Sequence, residues 1–581
     1  MSKGTHRKPQ PSRHSPDAVL LYTGLGLLTL ACAAVYAATH LAAWITGTPA
    51  PPADPWATLF GVLDGTITWT PQATGALAAL TAATLAAAAA MLVVRRRGAR
   101  RKSRIDDTAR WLGTGADIDP ISHATARQKA ARLAPGASPG IPIGLTVAGG
   151  QALYASWEDV QLDIWGPRTG KTTSRAIPAI LAAPGAVLVT SNKRDVVDAT
   201  RGPRDTAGDV WAFDPQHLSN EPACWWWNPL SYVTDEVKAA KLAGIFAAAS
   251  RPAGARVDAF FDNAAQDLLA ALLLAAASDQ RPITDVYRWL TRPDDDTGVD
   301  ILRAAGYPLT ADQLSGVINA PDRQRAGVYG TATQLASVLT NRAAAAWVTP
   351  DPADPHRPQF DPQAFVAGTD TLYLLSKEGK GSAGPLTTAL TVAVIEAAEQ
   401  HATQSAGGRL AVPLLAVLDE AANVCRWPDL PDLYSHFGSR GICLMTILQS
   451  WSQGTDVWGD AGMRKLWSAA NVVVFGGGVK ERDFLDNVSA LIGDYDKTTR
   501  SVSSGRGHRQ TSEHLSRERI LDAADLAALP PGRAVVLASG ARPTLIRTQP
   551  WWTGPHAGAV HASLAQHQPT NSTAPAAAGR P

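Results

Sequence analysis

The chain has 581 residues, 45% hydrophobic and 18% charged, which suits several domains with buried cores and excludes a wholly disordered protein. Its four cysteines, Cys32, Cys224, Cys425 and Cys443, form no C-x-x-C pair, which excludes a small disulfide-stapled domain. The net charge of +2 is uneven: residues 1–104 hold 11 Lys and Arg against Asp17, Asp54 and Asp64, and the remaining residues hold 42 basic and 48 acidic side chains. The bulk of the chain is therefore not a globally basic nucleic-acid binder, and any such contact has to come from a local patch.

Taken in chain order, residues 1–18 are a short basic leader with Lys3, Arg7, Lys8 and Arg13. Residues 19–45 and 74–94 are uncharged and rich in Ala and Leu. Each exceeds the ~20 residues that a helix needs to cross a bilayer, so both are expected to span the membrane. Seven cations between Arg95 and Arg104 follow the second run, and the connecting loop, residues 46–73, has no Lys or Arg. Excess positive charge stays on the cytoplasmic side. Both termini are thus expected on the cytoplasmic side of the cell membrane, with the loop outside. The 27-residue first run is too long for the apolar core of a signal peptide.

Residues 95–158 read as a juxtamembrane basic linker followed by the start of the soluble part. Over 159–233 extended and helical stretches alternate, with apolar strands expected at Ala186–Thr190 and Val210–Phe213. That is the rhythm of a parallel α/β sheet. Residues 234–347 change to Ala/Leu helical periodicity, as in Phe261–Ala277, and read as an all-α insertion. Alternation resumes over 359–553, with strands expected at Thr371–Leu375, Leu414–Leu418, Ile442–Leu448, Val472–Phe475 and Ala534–Leu537. Residues 554–581, rich in Ala, Pro, Gly, Thr and Gln, read as a disordered tail.

The chemistry begins where Leu162-Asp163-Ile164-Trp165 runs into Gly166, Pro167, Arg168, Thr169, Gly170, Lys171, Thr172 and Thr173. A strand, a Gly-bounded turn, Gly-Lys-Thr and a helix form a phosphate-binding loop: backbone N–H groups wrap phosphate, the Lys reaches the β/γ oxygens and the Thr hydroxyl holds Mg²⁺. Trp165 stands where the first glycine of that motif is usual. Either it tolerates the dihedral or the loop entry is rearranged. A second element is the apolar strand Leu414–Leu418 ending in Asp419 and Glu420. An ATPase needs an acid there for Mg²⁺ and a base for the attacking water. Strand Ile442–Leu448 ends at Gln449, which reads either as an ordinary strand-end polar group or as a contact to the γ-phosphate or its water.

Leu418-Asp419-Glu420-Ala421-Ala422-Asn423, Leu430-Pro431-Asp432-Leu433, Ser439-Arg440-Gly441-Ile442 and Ile447-Leu448-Gln449-Ser450 together resemble the TraG/TraD-like coupling proteins of type IV secretion and conjugation, relatives of the FtsK/HerA ATPases. Asn228-Pro229-Leu230, Phe475-Gly476-Gly477 and Pro530-Pro531-Gly532-Arg533 add to the resemblance, which spans roughly residues 155–550. It implies a membrane-anchored ATPase that assembles as a homo-hexamer, with a RecA-like P-loop domain, an inserted all-α domain and two preceding transmembrane helices. Such a protein passes single-stranded DNA, as a relaxase–DNA complex, or protein to the channel proteins of the secretion system. The cofactors implied are ATP and Mg²⁺. Lys171 and Thr172 would bind nucleotide and metal, Asp419 would support the metal, Glu420 would act as base and Gln449 as sensor. The family often carries an arginine reaching the neighbouring subunit's nucleotide at the position of Gly438; here Arg440, or a different arginine, would take that catalytic role. A stand-alone FtsK-like DNA pump and a non-hydrolysing membrane receptor are the alternatives.

Two further features stand apart from that set. Lys497, Arg500, Arg506 and Arg509 lie in a Ser/Thr/Gly-rich stretch that reads either as a solvated loop or as a loop tracking nucleic-acid phosphates. Trp225-Trp226-Trp227 reads as core packing or as a stacking platform for bases.

Overall fold

A computed structural model describes residues 16–99, 103–250, 259–379, 381–505 and 508–569. The chain divides into two compact units, Met1–Lys102 and Ser103–Pro581.

Among the described residues the first unit has the helices α1 (Pro16–Thr46), α2 (Pro55–Leu63) and α3 (Pro71–Ala99). Stretches of α1 (Leu28–Thr46) and α3 (Pro71–Met91) are long and apolar enough to cross a membrane. Where helices meet, the buried residues are small: Ala38, Ala42 and Ala43 on α1, Ala73 and Ala76 on α3. The large apolar side chains, Leu30, Trp44, Leu85 and Met91 among them, are exposed. Small residues thus meet between the helices while large apolar ones face outward, the reverse of the pattern in a water-soluble bundle. The loop of residues 46–73 contains α2.

The second unit is built on an eleven-stranded sheet. Its early strands are β1 (Ile141–Thr146), β2 (Ala152–Ala155), β3 (Gln161–Ile164), β4 (Val187–Ser191) and β5 (Val210–Phe213). After the helical segment come β6 (Thr371–Leu375), β7 (Leu414–Leu418), β8 (Ile442–Leu448) and β9 (Val472–Phe475). A hairpin of β10 (Asp494–Gly505) and β11 (His508–Arg519) precedes β12 (Arg533–Ala538) and β13 (Thr544–Arg547). The sheet order is β2-β1-β13-β12-β9-β3-β8-β7-β4-β6-β5. From β9 through β5 all neighbours are parallel; β12, β13, β1 and β2 continue it antiparallel. Helices cover both faces, so β3, β4, β6, β7, β8 and β9 are buried along their whole length. That explains their unbroken apolar sequences.

Between β5 and β6 lies an α-helical segment whose central helix, Ala259–Ser278, packs against Glu236–Ser250 and Asp322–Leu335. This helix too is long and apolar enough to cross a membrane, yet Leu268, Leu269, Leu272 and Leu273 are buried within the segment. Trp225 and Trp227 are buried, with Trp225 packed edge-on to Trp211 and Trp347 at 5.5 and 5.2 Å between ring centres. They are core residues at the root of the helical segment, and the stacking-platform alternative falls for this pair.

Two expectations need correction. The tail from residue 554 contains the helix Ala557–His567, whose Val560 is buried and whose Ser563 hydroxyl donates to Asp198 O at 2.6 Å. Only its remainder, residues 570–581, lies outside the described residues. The cationic stretch 497–509 is not a loop but belongs to the β10–β11 hairpin. Lys497 pairs with Glu518 at 3.1 Å, Arg500 sits opposite Glu513, and Arg506 lies outside the described residues.

Candidate active site

Parallel strands end on one side of a sheet, and there the chain gathers its chemistry. β3 runs into the Gly166–Thr173 loop, β7 into Asp419 and Glu420, and β8 into Gln449. β3 and β8 are adjacent, as are β8 and β7. The Lys171 ammonium donates to Asp419 Oδ1 at 2.9 Å and also to Glu420 Oε1. Gln449 Nε2 donates to both oxygens of Glu420 at 2.7 Å. Four residues from three strand ends, up to 278 positions apart in the chain, thus share one hydrogen-bonded cluster.

The loop itself settles the question at Trp165. That residue keeps an ordinary dihedral, whereas Arg168 and Gly170 take φ of 61° and 93°. Trp165 N donates to Leu448 O at 2.9 Å, so the β3–β8 ladder continues through it. Its ring is fully buried against the backbone of Gly476. A Cβ on Gly476 would sit 2.0 Å from the indole, and one on Gly166 would sit 2.3 Å from Gly478 O. Gly166 N donates to Gly477 O at 2.9 Å. The bulk moved onto the loop is thus offset by the Gly476-Gly477-Gly478 run after β9. Beyond Lys171 the chain makes a π-helical turn, Thr172–Ala176, before the α-helix Ile177–Ala182. Such widened turns occur often at functional sites. Pro167 and Arg168 are exposed; Thr169, Thr172 and Thr173 are half-buried, with Thr169 and Thr173 hydroxyls donating to Gly166 O and Gly170 O.

The helix is pinned to β3 from below. Arg175 is buried and donates through Nε to Asp163 Oδ2 at 2.7 Å and through Nη2 to Gln161 Oε1 at 2.7 Å. Asp163 and Gln161 both lie on β3, so this pair fixes the register between strand and helix. Burial raises the Asp163 pKa above the ordinary range, and the Arg175 charge offsets only part of that.

Asp419 and Glu420 are both buried. Burial raises the Asp419 pKa, and the Lys171 charge opposes that rise. Burial acts to lower the Lys171 pKa, but the two carboxylates outweigh it and hold the pKa above its usual value, so Lys171 is charged. Glu420 adopts φ 56° and ψ 41°, a left-handed conformation that costs a non-glycine residue about 1–3 kcal/mol. Thr190 on β4 donates to Asp419 O at 3.1 Å and holds the bend.

This donor set fits a magnesium–nucleotide. Two buried carboxylates share one ammonium, which stands in for part of the positive charge that a divalent ion would bring, and Thr172 and Asp419 supply the oxygen donors Mg²⁺ prefers.

Sequence reasoning missed several supports. Gln453 Oε1 accepts from Gln449 N at 3.0 Å, and Glu481 accepts from Trp451 N at 3.0 Å, fixing the helix entry behind the glutamine. Glu378 accepts from Asn192 at 2.8 Å and Asn423 at 2.6 Å, bracing the loop after Glu420. Single polar residues at strand ends carry no pattern that separates such roles from ordinary solvation. Arg440 is not in the cluster. It precedes β8 whereas Gln449 follows it, roughly 25 Å away along an extended strand, and it pairs with Glu399 at 2.7 Å.

Residues 413–531 match the family profile described as the TraM recognition site of TraD and TraG. No curated protein sequence matches the chain. Among solved structures, the unbound bacterial conjugative coupling protein TrwBdeltaN70 superposes with a TM-score of 0.52 at 15% identity, covering 74% of this chain and 92% of that one. TrwB with a non-hydrolysable ATP analogue gives 0.51 at 15% identity, over 75% and 96%. TrwB with ADP and Mg²⁺ gives 0.50 at 16% identity, over 70% and 88%. These likenesses establish the fold. The sequence match runs through both Asp419-Glu420 and Gln449, so this stretch is similar to TraD and TraG, and the fold around it is similar to that of the conjugative coupling protein TrwB.

Proposed function

We propose that the chain is a membrane-anchored ATPase that uses hydrolysis to recruit single-stranded DNA, as a relaxase–DNA complex, or protein and to pass it to a type IV secretion channel. The observation that carries this reading is the meeting of Lys171 with Asp419, Glu420 and Gln449. Lys171 releases the two carboxylates and turns to the phosphates when nucleotide binds in the Gly166–Thr173 loop. Asp419 and Thr172 would hold Mg²⁺, which would supply positive charge against the triphosphate. Glu420, freed from Lys171, accepts the proton of the attacking water, and Gln449 keeps its carboxylate aimed. The TraM-type match over 413–531 supports docking of a TraM-like partner on the part of the second unit that these residues form, and the exposed apolar helices α1 and α3 support anchorage in the lipid bilayer. Arg440, remote from its own chain's cluster, is assigned to a neighbour's nucleotide in a homo-hexamer.

The test is nucleotide binding and turnover by the full chain. Lys171→Ala removes the phosphate contact and is expected to abolish ATP binding. Glu420→Gln leaves binding intact and lowers turnover by about 10²–10⁴. Equal ATP affinity and unchanged turnover in both variants would remove the motor assignment.

A further inference from the structure

The segment between α1 and α3 carries an inference of its own. α2 does not stand off from α1. The Cys32 thiol donates to Pro55 O at 3.2 Å, and His40 Nε2 lies 3.3 Å from Pro52 O. Cys32 is 14 residues before the end of α1 at Thr46, about 21 Å along a helix. The chain therefore turns back along α1 after Thr46 and starts α2 beside the middle of an apolar run.

The faces of α2 are reversed relative to a helix capping a soluble domain. Its buried positions are Thr58 and Gly61, and the Thr58 hydroxyl is satisfied internally by Pro52 O and Asp54 O at 2.9 and 3.0 Å. The opposite stripe, at helical spacing, is Trp56, Phe60 and Leu63, with 41%, 60% and 73% of their surfaces exposed. The stripe is continuous in character with the exposed apolar side chains of α1 and α3. Trp44, near the end of α1, and Trp69, just before α3, are exposed as well, and tryptophan concentrates at the membrane–water boundary. The acids of the segment, Asp54 and Asp64, flank α2, where Asp54 accepts from Trp56 N and Asp64 from Thr66 N. At nine residues α2 is too short to span.

We propose that α2 is embedded in the leaflet opposite the basic run 95–104, with Trp56, Phe60 and Leu63 against lipid acyl chains. This rests on the two-span reading of α1 and α3, and adds that their connection is a lipid-buried wedge and not a solvated cap. An embedded wedge of this kind widens the anchor on one side of the membrane.

The experiment uses the full chain with the exposed Cys224 replaced by Ser, reconstituted in phosphatidylcholine/phosphatidylglycerol vesicles. Single cysteines are placed as Phe60→Cys and Leu63→Cys. Leu85→Cys serves as the reference within α3 and Val237→Cys as the reference in water. Each is labelled with an environment-sensitive fluorophore and quenched either by doxyl-phosphatidylcholine or by aqueous iodide. The expected result is doxyl quenching at 60 and 63 at least about threefold above that at 237, with protection from iodide. Iodide quenching at 60 and 63 equal to that at 237, with Leu85→Cys still quenched only by doxyl lipid, overturns the embedded wedge and leaves the spans standing. Iodide quenching at 85 as well removes the two-span reading and the wedge with it.

Discussion

The tryptophan at 165 shows how one residue is tolerated where glycine is usual in a phosphate loop. Its backbone needs no left-handed conformation; its ring needs space, and Gly476 provides it by having no side chain. A methyl group there would meet the indole at 2.0 Å, and overpacking a full core site costs about 1–3 kcal/mol. Because the indole is joined directly to Gly166, the strain falls on the loop. Gly476→Ala is expected to weaken ATP binding by at least about tenfold, measured by titration with a fluorescent nucleotide. Adding Trp165→Ala should restore part of it. Unchanged affinity in Gly476→Ala would mean that the loop is set by other contacts. Lys171 and the acidic pair were legible because their residue types carry the chemistry wherever they lie. The complementarity of Trp165 and Gly476 was not, since nothing local links positions 311 apart in sequence.

Among the elements, the strands Val210–Phe213, Thr371–Leu375, Leu414–Leu418, Ile442–Leu448 and Val472–Phe475 coincide with the sequence reading residue for residue. A strand covered on both faces has to be apolar throughout, so its ends show as abrupt changes in polarity. The β10–β11 hairpin offers no such contrast, because its sequence is rich in Ser, Thr and charged residues and has no apolar run. The helix Ala557–His567 was hidden for a related reason, since Val560 and Ser563 are the buried anchors on an otherwise Ala- and His-rich segment. α2 was missed because its apolar face points outward. At this scale one pairing is testable by pH. The helix Arg104–Thr108 is clamped to β12 by Arg533, whose Nε and Nη2 donate to the two oxygens of Asp106 at 2.6 and 2.9 Å. Burial acts to raise the Asp106 pKa, but the hydrogen bond and charge of Arg533 outweigh it, leaving the pKa below the usual 3.8. A depressed carboxylate adds stability that is complete above the unfolded value and fades as pH falls through the folded one. Asp106→Asn is therefore expected to destabilise the unit by about 1–3 kcal/mol near neutrality. In melting curves the gap to wild type should narrow as pH drops below about 4. A gap independent of pH would assign the loss to packing.

For the whole molecule, the arrangement of charge bears on the proposed assembly. Phosphoryl transfer develops negative charge that one lysine offsets incompletely, and an arginine supplied at the right moment is worth about 10³–10⁵ in rate. Lys171 is in hydrogen-bond contact with Asp419 and Glu420, while Arg440 is held at the far end of β8 by Glu399. If the missing charge comes from a neighbour, subunits cannot hydrolyse independently. Mixing Glu420→Gln chains into wild type should then depress ATPase activity more steeply than the wild-type fraction falls, because each defective subunit idles a working one beside it. Arg440→Ala should lower turnover while leaving nucleotide affinity and melting temperature near wild type, which separates a role on the neighbour's phosphate from the ion pair with Glu399. Activity that declines in simple proportion to the wild-type fraction would show that each chain carries a complete site, and Arg440 would then be a surface ion-pair partner and nothing more.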